Sequence, residues 1–252
     1  MDRISIERFD AQADRYLAEL QADLKVGNYR PDAVRRVYIP KGDGKQRPLG
    51  IPMVKDRIVP AAMKLVMEPI FEKEFLPMSY GFRPQSGCKD ALREVEGLVK
   101  EGYPWVVDAD LKSYFDTIPQ GPLLERIAER ISDGKVLDLI QRYLEQKVME
   151  GMEKWKPTAG TSQGAVLSPL LANLYLHPLD RLITERGWKR VRYADDFVIL
   201  CRDQAAAEAA LQAVREWTEA NGLTLHPDKT PIGDCLQPGQ GFEFLGYRFE
   251  GG

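Results

Sequence analysis

Two adjacent aspartates, Asp195 and Asp196, interrupt a segment that otherwise has the composition of a strand. Residues 191–193 precede the interruption and the apolar residues 197–200 follow it. Carboxylates in the middle of an apolar strand are costly to bury unless they are paired or neutralised. The pattern therefore predicts a tight hairpin with the aspartates at its turn. An ordinary aspartate-containing turn would also explain the pair, so a metal site needs a further ligand.

Asp110 supplies that ligand. It follows residues 104–109, a run that is apolar except for Asp108 and predicts a second buried strand. If the two strands are neighbours in one sheet, three carboxylates converge, and they repel one another unless cations neutralise them. A set of oxygen ligands favours Mg²⁺. Two such ions, about 3.5–4 Å apart, would suit an in-line phosphoryl displacement.

Composition places the chain among ordinary globular proteins. Its 252 residues are 44% hydrophobic and 29% charged. No apolar run approaches the roughly 20 residues of a membrane span, and the N-terminus shows no signal-peptide core, so no membrane association is expected. Three distant cysteines (Cys88, Cys201 and Cys235) form no CxxC pair, which indicates reduced thiols and a cytoplasmic location. His177 and His226 have no evident partners for a zinc site.

The net charge of −3 argues weakly against a nucleic-acid partner, but it hides a local basic segment. Between residues 35 and 57, seven basic residues face only two acidic ones: Arg35, Arg36, Lys41, Lys45, Arg47, Lys55 and Arg57 against Asp43 and Asp56. Such a run is usually a solvated surface, although it could also bind phosphate.

Strands and helices are mixed without regular alternation, which favours an α+β fold over a doubly wound sheet. Helices are predicted from Ser5 towards Gly27, from Asp56 towards Phe75, and over 88–100, 121–132, 135–147 and 207–217. A further helix should begin at Ser168-Pro169, with Pro178 kinking or ending it. A basic β-hairpin is predicted over 35–51 and a closing strand or hairpin over 242–249.

Six motifs in order make the chain similar to reverse transcriptases, and specifically to their group II intron-encoded branch. The segment 191–197 resembles the signature hairpin of that family, 108–116 its first aspartate motif, and 160–173 its nucleotide-pocket motif. Residues 47–52, 79–84 and 244–247 resemble the intron-encoded branch. The resemblance runs from about residue 5 to residue 250. It implies a right-hand polymerase fold with an antiparallel palm sheet packed on helices. Fingers are expected over about 1–100 and a palm over about 101–252, with the two interleaved along the chain.

The resemblance also implies catalytic roles. Asp110 and Asp195 would bind both Mg²⁺ ions, with Mn²⁺ as an alternative ion, and Asp196 would assist. The backbone carbonyl of Leu111 would be a further ligand. Lys229 matches a proposed general acid for the pyrophosphate leaving group, although an exposed loop lysine is an equal alternative. Asp108 and Asp116 lie outside the catalytic position and are assigned structural roles.

Other matching positions would bind the nucleotide. Phe115 would lie under the sugar and exclude a 2′-OH, which favours dNTPs; core packing is its alternative explanation. Lys41 and Arg47 would hold the triphosphate. Gln163 and Gly164 would let the nucleotide approach closely. Arg57 and Arg83 are candidates for contacts with the template backbone.

Two departures from the family pattern affect the functional prediction. Ser162-Gln163-Gly164-Ala165 replaces the usual Pro-Gln-Gly-Gly, and the sequence stops where a helical thumb should follow, so the thumb is expected to be absent.

The first hypothesis is an RNA-directed DNA polymerase domain that uses an RNA template, a DNA or RNA primer and dNTPs. Intron RNA is a further expected partner, and CRISPR-linked or defence relatives share the same palm residues. The alternative is an RNA-binding maturase fragment or scaffold with little polymerase activity. A polymerase that copies RNA into RNA is a third hypothesis, which Phe115 disfavours.

Overall fold

The N-terminal helices begin as the local sequence predicts. The hydroxyl oxygen of Ser5 accepts a hydrogen bond from the backbone N–H of Arg8, 3.2 Å away, and so satisfies an otherwise free amide of the first turn. The predicted single helix is divided into two, however, and the second ends at Gly27 with a φ of 75°. The left-handed region is one that glycine enters without a steric penalty.

The computed structural model describes residues 4–41, 44–161, 164–226 and 230–251. The helices are α1 (Ile6–Asp10), α2 (Ala13–Val26), α3 (Lys55–Phe71), α4 (Cys88–Lys100), α5 (Tyr114–Thr117), α6 (Gln120–Ala128), α7 (Gly134–Leu144), α8 (Ser168–Glu185) and α9 (Gln204–Ala220). The strands are β1 (Val34–Lys41), β2 (Lys45–Ile51), β3 (Trp105–Ala109), β4 (Val148–Glu150), β5 (Glu153–Trp155), β6 (Lys189–Tyr193), β7 (Asp196–Cys201), β8 (Ile232–Asp234), β9 (Phe242–Phe244) and β10 (Tyr247–Phe249).

The chain forms two compact units and passes between them more than once. One unit contains residues 1–70 and 118–171, and the other contains 71–117 and 172–252. These bounds differ from the approximate division predicted near residue 100, and the two units interleave along the chain. The reason is strand pairing, because β4 and β5 join the sheet of β1 and β2 although about a hundred residues separate them in sequence.

The first unit contains a four-stranded sheet in the order β2-β1-β4-β5. The predicted basic hairpin is present as β1 and β2, which pair antiparallel from Arg35–Ile51 to Lys41–Lys45. Behind it, the fully buried Asp56 accepts hydrogen bonds from the hydroxyl of Tyr29 at 2.6 Å and from the backbone N–H of Asp32 at 2.9 Å. The Tyr143 hydroxyl donates to the backbone carbonyl of Asp56. A polar cluster therefore ties α7 to the start of α3.

The second unit contains a four-stranded antiparallel sheet in the order β6-β7-β3-β8. Side chains alternate between the two faces of a strand, and α4 packs on the face that carries Val106, Val198 and Leu200. Helix α9 is in contact with β3, β7 and β8, and it buries its alanine-rich stripe. The expected antiparallel sheet packed on helices is confirmed.

Two local expectations differ from the structure. Pro178 was predicted to kink or end α8, and it does not end the helix, which continues to Glu185. Tertiary packing on a buried helix can outweigh the lost backbone hydrogen bond. The short strands β4, β5 and β8 were not predicted, since three residues carry too little periodicity to be recognised.

Among the described residues, no helix is long and apolar enough to span a lipid bilayer.

Candidate active site

Asp110 and Asp196 lie at the same end of two paired strands. Strands β3 and β7 pair antiparallel, with Asp108 opposite Val198 and Ala109 opposite Phe197. Continuing this register by one residue places Asp110 opposite Asp196. Directly opposed residues point to the same face of a sheet. The predicted adjacency of the two aspartate-bearing strands is therefore present.

Asp195 and Asp196 lie at the two-residue turn of the hairpin that β6 and β7 form. Tyr193 of β6 pairs with Asp196 of β7, so Ala194 and Asp195 make the turn between them. Ala194 has a φ of 60°. Non-glycine residues rarely adopt this region, and such strain costs of order 1–3 kcal/mol. The sequence correctly predicted the hairpin, and the structure adds that its turn is strained.

Four carboxylates influence one another at this end of the sheet. Burial is the main cause that raises the pKa of Asp196 to about 7, and the negative charges of Asp108, Asp195 and Asp110 raise it further. A raised pKa means that the neutral form is favoured unless positive charge is nearby. Asp108, which had been assigned a structural role only, thus contributes to the electrostatics of the cluster.

The segment after Asp110 is held by hydrogen bonds to residues 224–226. The backbone N–H of His226 donates to the carbonyl of Asp110 at 2.7 Å, and that of Lys112 donates to the carbonyl of Thr224 at 2.9 Å. Leu111 lies between them opposite Leu225, with its side chain buried. Neither of these two hydrogen bonds uses the Leu111 carbonyl, the group predicted to bind a metal ion.

The donor set has the chemistry of a divalent-cation site. Mutual repulsion among half-buried carboxylates is relieved by a cation, and carboxylate oxygens are the ligands that Mg²⁺ prefers. Across the described ranges, no three His, Cys, Asp or Glu side chains are close enough together to hold one ion by themselves. Mg²⁺ characteristically takes only one or two carboxylates and completes its shell with water and substrate phosphates. The residues present therefore fit such an ion.

Phe115 lies on the short helix α5, beside a firmly held tyrosine. The hydroxyl of Tyr114 donates to the backbone carbonyl of Ala172 at 2.7 Å, and its ring meets the Phe115 ring edge-on at 5.6 Å between centroids. Tyr114 is buried whereas Phe115 is only half-buried. Of the two neighbouring rings, Tyr114 packs in the core and Phe115 keeps an accessible side.

Lys41, Arg47 and Gly164, which are predicted to bind the nucleotide, belong to the other unit. Arg47 is exposed on β2, and Lys41 is the last residue of β1. Gly164 has a φ of 89°, and a Cβ atom there would lie 3.2 Å from Leu49 Cδ2. The glycine therefore serves a turn that packs on β2. Gln163 and Lys229 lie outside the described residues.

Arg83, a candidate for contact with the template backbone, is engaged within the protein. Its guanidinium donates to the Glu72 carboxylate through Nε and Nη2, at 2.9 and 2.6 Å, and its Nη1 donates to the carbonyls of Leu76 and Ser79. The side chain is 10% exposed. Arg57 is exposed on α3, where its Nε donates to the backbone carbonyl of Pro52 at 3.3 Å.

Sequence reasoning missed a group of polar residues behind the hairpin turn. Arg192, Asp180 and Asn173 are all buried and hydrogen-bonded to one another. One signal was available in the sequence, because the charged Arg192 lies between Val191 and Tyr193 in a segment that predicts a strand. A buried arginine requires a carboxylate partner, but the sequence does not show which one.

Comparison with known proteins identifies the family. Residues 39–249 match the model of the family described as reverse transcriptase (RNA-dependent DNA polymerase). Protein YkfC of Escherichia coli (strain K12) is 35% identical over 98% of this chain and 74% of its own length. Group II intron-encoded protein LtrA of Lactococcus lactis subsp. cremoris is 38% identical over 71% of this chain. That alignment spans 30% of LtrA, so this chain corresponds to only part of that relative.

Solved structures show the same fold at low sequence identity. Apo telomerase from Candida tropicalis has a TM-score of 0.68 and 13% identity, over 93% of this chain and 52% of that one. The similarity supports the fingers–palm polymerase fold that the motifs implied.

Proposed function

Because this chain belongs to the reverse transcriptase family, in its group II intron-encoded branch, we propose that it adds dNTPs to a primer paired with an RNA template. The observation that carries this proposal is the group of carboxylates at one end of β3 and β7. Burial and three neighbouring carboxylates raise the pKa of Asp196 there. Negative charge concentrated in this way would repel the phosphates of an RNA ligand, whereas metal-assisted phosphoryl transfer uses it to hold the cations.

In this proposal Asp110 and Asp195 hold the divalent ions, Asp196 assists them, and the carbonyl of Leu111 is a further ligand. Two Mg²⁺ ions, when bound, supply charge stabilisation to the attacking and leaving oxygens. The half-buried Phe115 ring lies under the incoming sugar and excludes a 2′-OH. Sugar selection by Phe115 and metal binding by Asp110 then depend on neighbouring residues of the same unit.

The remaining roles concern the triphosphate. Lys41 and Arg47 hold its oxygens, for which a point charge and a planar fork are both suitable. Gln163 and Gly164 border the nucleotide, and Lys229 protonates the pyrophosphate as it leaves. The exposed position of Arg47 on β2 supports its part in this assignment.

A second candidate function is RNA binding without efficient polymerisation, as a maturase fragment or scaffold. The observation that favours it is the relationship with LtrA, an intron-encoded protein of which this chain matches 30%. Intron RNA would then be the partner.

Primer extension separates the two functions. Purified protein is incubated with a primed RNA template, dNTPs and Mg²⁺, and compared with Asp195→Ala and with a matched acidic control, Glu219→Ala, which removes an exposed carboxylate from α9. We expect extension by wild type and by Glu219→Ala and none by Asp195→Ala, with all three melting at similar temperatures. RNA binding in a gel-shift assay without extension by wild type would support the second function and overturn the first.

A further inference from the structure

Arg192 is the largest side chain that is fully buried in the described parts of the chain, and it lies two residues before the hairpin turn. Its Nε donates to Asp180 Oδ1 at 3.0 Å and its Nη2 donates to Asp180 Oδ2 at 2.6 Å. This two-pronged contact fixes the plane of the guanidinium, because the two groups fit each other fork to fork.

The third nitrogen of Arg192 connects that fixed plane to the turn. Nη1 donates to the side-chain oxygen of Asn173 at 2.6 Å and to the backbone carbonyl of Ala194 at 2.9 Å. Ala194 is the residue with the strained φ of 60°, and Asp195 follows it directly. The guanidinium therefore holds the peptide group that leads into Asp195.

Asn173 extends the same network to a second backbone segment. Its side-chain nitrogen donates to the carbonyl of Gly81 at 2.8 Å. A Cβ atom on Gly81 would lie 2.1 Å from the backbone nitrogen of Ala194, so the two segments are in direct backbone contact. The backbone N–H of Arg192 also donates to the carbonyl of Met78 at 3.0 Å. The turn is thus held by hydrogen bonds from one side and by close packing from the other.

We propose that Arg192 and Asn173 are positioning residues, which keep the Ala194–Asp195 turn in its strained conformation and so direct the Asp195 carboxylate towards the cation site. This inference rests on the proposed function for the role of Asp195. Neither residue touches substrate. Both act through the Ala194 carbonyl, and they oppose the relaxation of the strained turn.

Lysine cannot replace arginine in this arrangement. The hydrogen bonds of Arg192 leave in three directions from a planar group, to a helix carboxylate, an amide oxygen and a turn carbonyl. A lysine carries its three donors on one atom and has no rigid fork. Arg192→Lys therefore keeps the charge near Asp180 but loses the geometric link to Ala194.

The chain contains a matched control in Arg190. It lies on the same strand, is also buried, and pairs with the same carboxylate, with Nη1 2.5 Å from Asp180 Oδ1. Its guanidinium lies 4.0 Å from the centroid of the Phe197 ring. Apart from this ion pair with Asp180, the side-chain nitrogens of Arg190 have no hydrogen-bond partner within the described residues, and so they do not hold the turn. Arg190→Lys thus perturbs a buried charge of the same kind without releasing Ala194.

The test compares Arg192→Lys, Asn173→Ala and Arg190→Lys with wild type in three measurements. These are the rate of single-nucleotide addition at saturating dNTP, the thermal unfolding temperature, and Mn²⁺ binding to the free protein, followed by water-proton relaxation. Removing an outer partner of a metal ligand typically lowers activity or metal affinity by about 10–100-fold. We expect that loss in rate and in Mn²⁺ affinity for Arg192→Lys and Asn173→Ala, and wild-type values for Arg190→Lys, even where all three unfold at lower temperature.

Each result has a definite meaning. If Arg190→Lys loses rate and Mn²⁺ affinity as much as Arg192→Lys does, the network only stabilises the fold and the proposal is overturned. If Arg192→Lys does not fold, Asn173→Ala decides, because it removes one hydrogen-bonding side chain and leaves the ion pair in place. If wild type adds no nucleotide, the proposed function fails, and the Mn²⁺ measurements still test the positioning role by themselves.

Discussion

A Cβ atom on Gly81 would lie 2.1 Å from the backbone nitrogen of Ala194. The two residues are more than a hundred positions apart in sequence, yet their backbones are in van der Waals contact. Since no real Cβ tolerates such a distance, the segment carrying Gly81 must move if any side chain is added there.

We therefore expect Gly81→Ala to displace the Ala194–Asp195 turn. Overpacking of this kind costs typically 1–3 kcal/mol of unfolding free energy, and primer extension should be lost with it. Urea unfolding and primer extension measure the two effects. Gly97→Ala is the control, since nothing lies within 4 Å of its Cβ position on α4, and alanine should stabilise that helix by roughly 0.5–1 kcal/mol. Full activity in Gly81→Ala would contradict the assigned importance of this contact.

Phe115→Ala should relax discrimination against ribonucleotides. The half-buried ring lies beside Tyr114, which is anchored to Ala172, so shortening Phe115 opens space without disturbing its neighbour. An apolar pocket discriminates against an isostere with an added hydroxyl by about 100-fold, and we expect a gain of that order in relative rNTP incorporation. Tyr114→Phe is the comparison, because it removes only the hydroxyl. An unchanged ratio of dNTP to rNTP incorporation in Phe115→Ala would show that the ring has no role in sugar selection.

Arg83→Ala should reduce stability rather than weaken nucleic-acid binding specifically. The side chain is 10% exposed and donates to Glu72, Leu76 and Ser79. Hydrogen bonds to charged groups are each worth about 1.5–3 kcal/mol, so we expect a loss in that range or above it. Arg93→Ala, which breaks an exposed pair with Asp90, should cost no more than about 1 kcal/mol.

Salt dependence distinguishes a template contact from a structural residue. A residue that binds phosphate lowers the slope of log K against log salt by about one when it is removed. The slope for Arg83→Ala should equal that of wild type, whereas Arg57→Ala should reduce it. A smaller slope of log K against log salt for Arg83→Ala than for wild type would indicate that Arg83 does contact the template phosphates.

Asp56 should make stability depend on pH in the opposite sense to an ordinary ion-paired aspartate. Burial is the main cause that raises its pKa, and it outweighs the hydrogen bonds from Tyr29 and Asp32 that lower it. The folded state then binds the proton more tightly than the unfolded state does. The contribution is therefore most favourable at low pH, and it is lost as the pH rises from about 4 through the raised pKa.

The measurement compares wild type with Asp56→Asn across that pH range. The free energy of unfolding of wild type, relative to the variant, should fall as the pH rises, because only wild type must ionise a buried group. A relative stability that increases with pH would mean that the hydrogen bonds, and not burial, dominate the pKa of Asp56.

Much of the site could be predicted because its signals are local. The apolar segments on either side of Asp195 and before Asp110 predicted the two strands, and the strand pairing in the structure agrees with that expectation. The motifs around them predicted the family correctly. The roles of Lys41, Arg47, Gln163 and Lys229 stay predictions, since they depend on a bound nucleotide.

The missed features have in common that they depend on distant partners. Arg83 was expected to bind template because an arginine in a motif has no visible partner in sequence, and the partner proved to be Glu72. Pro178 was expected to kink or end a helix because its local cost is known. The helix does not end there, and the packing that outweighs the cost is not local.

The two aspartates at positions 195 and 196 show where the division lies. The sequence by itself determined that they interrupt a strand and that Asp110 ends another, because hydrophobic periodicity and turn chemistry are properties of neighbouring residues. Only the tertiary structure decided that Ala194 is held at a φ of 60°, by Arg192 on one side and by Gly81 on the other. The positive φ of Ala194 depends on the tertiary structure because a strained turn persists only when contacts from distant segments oppose its relaxation.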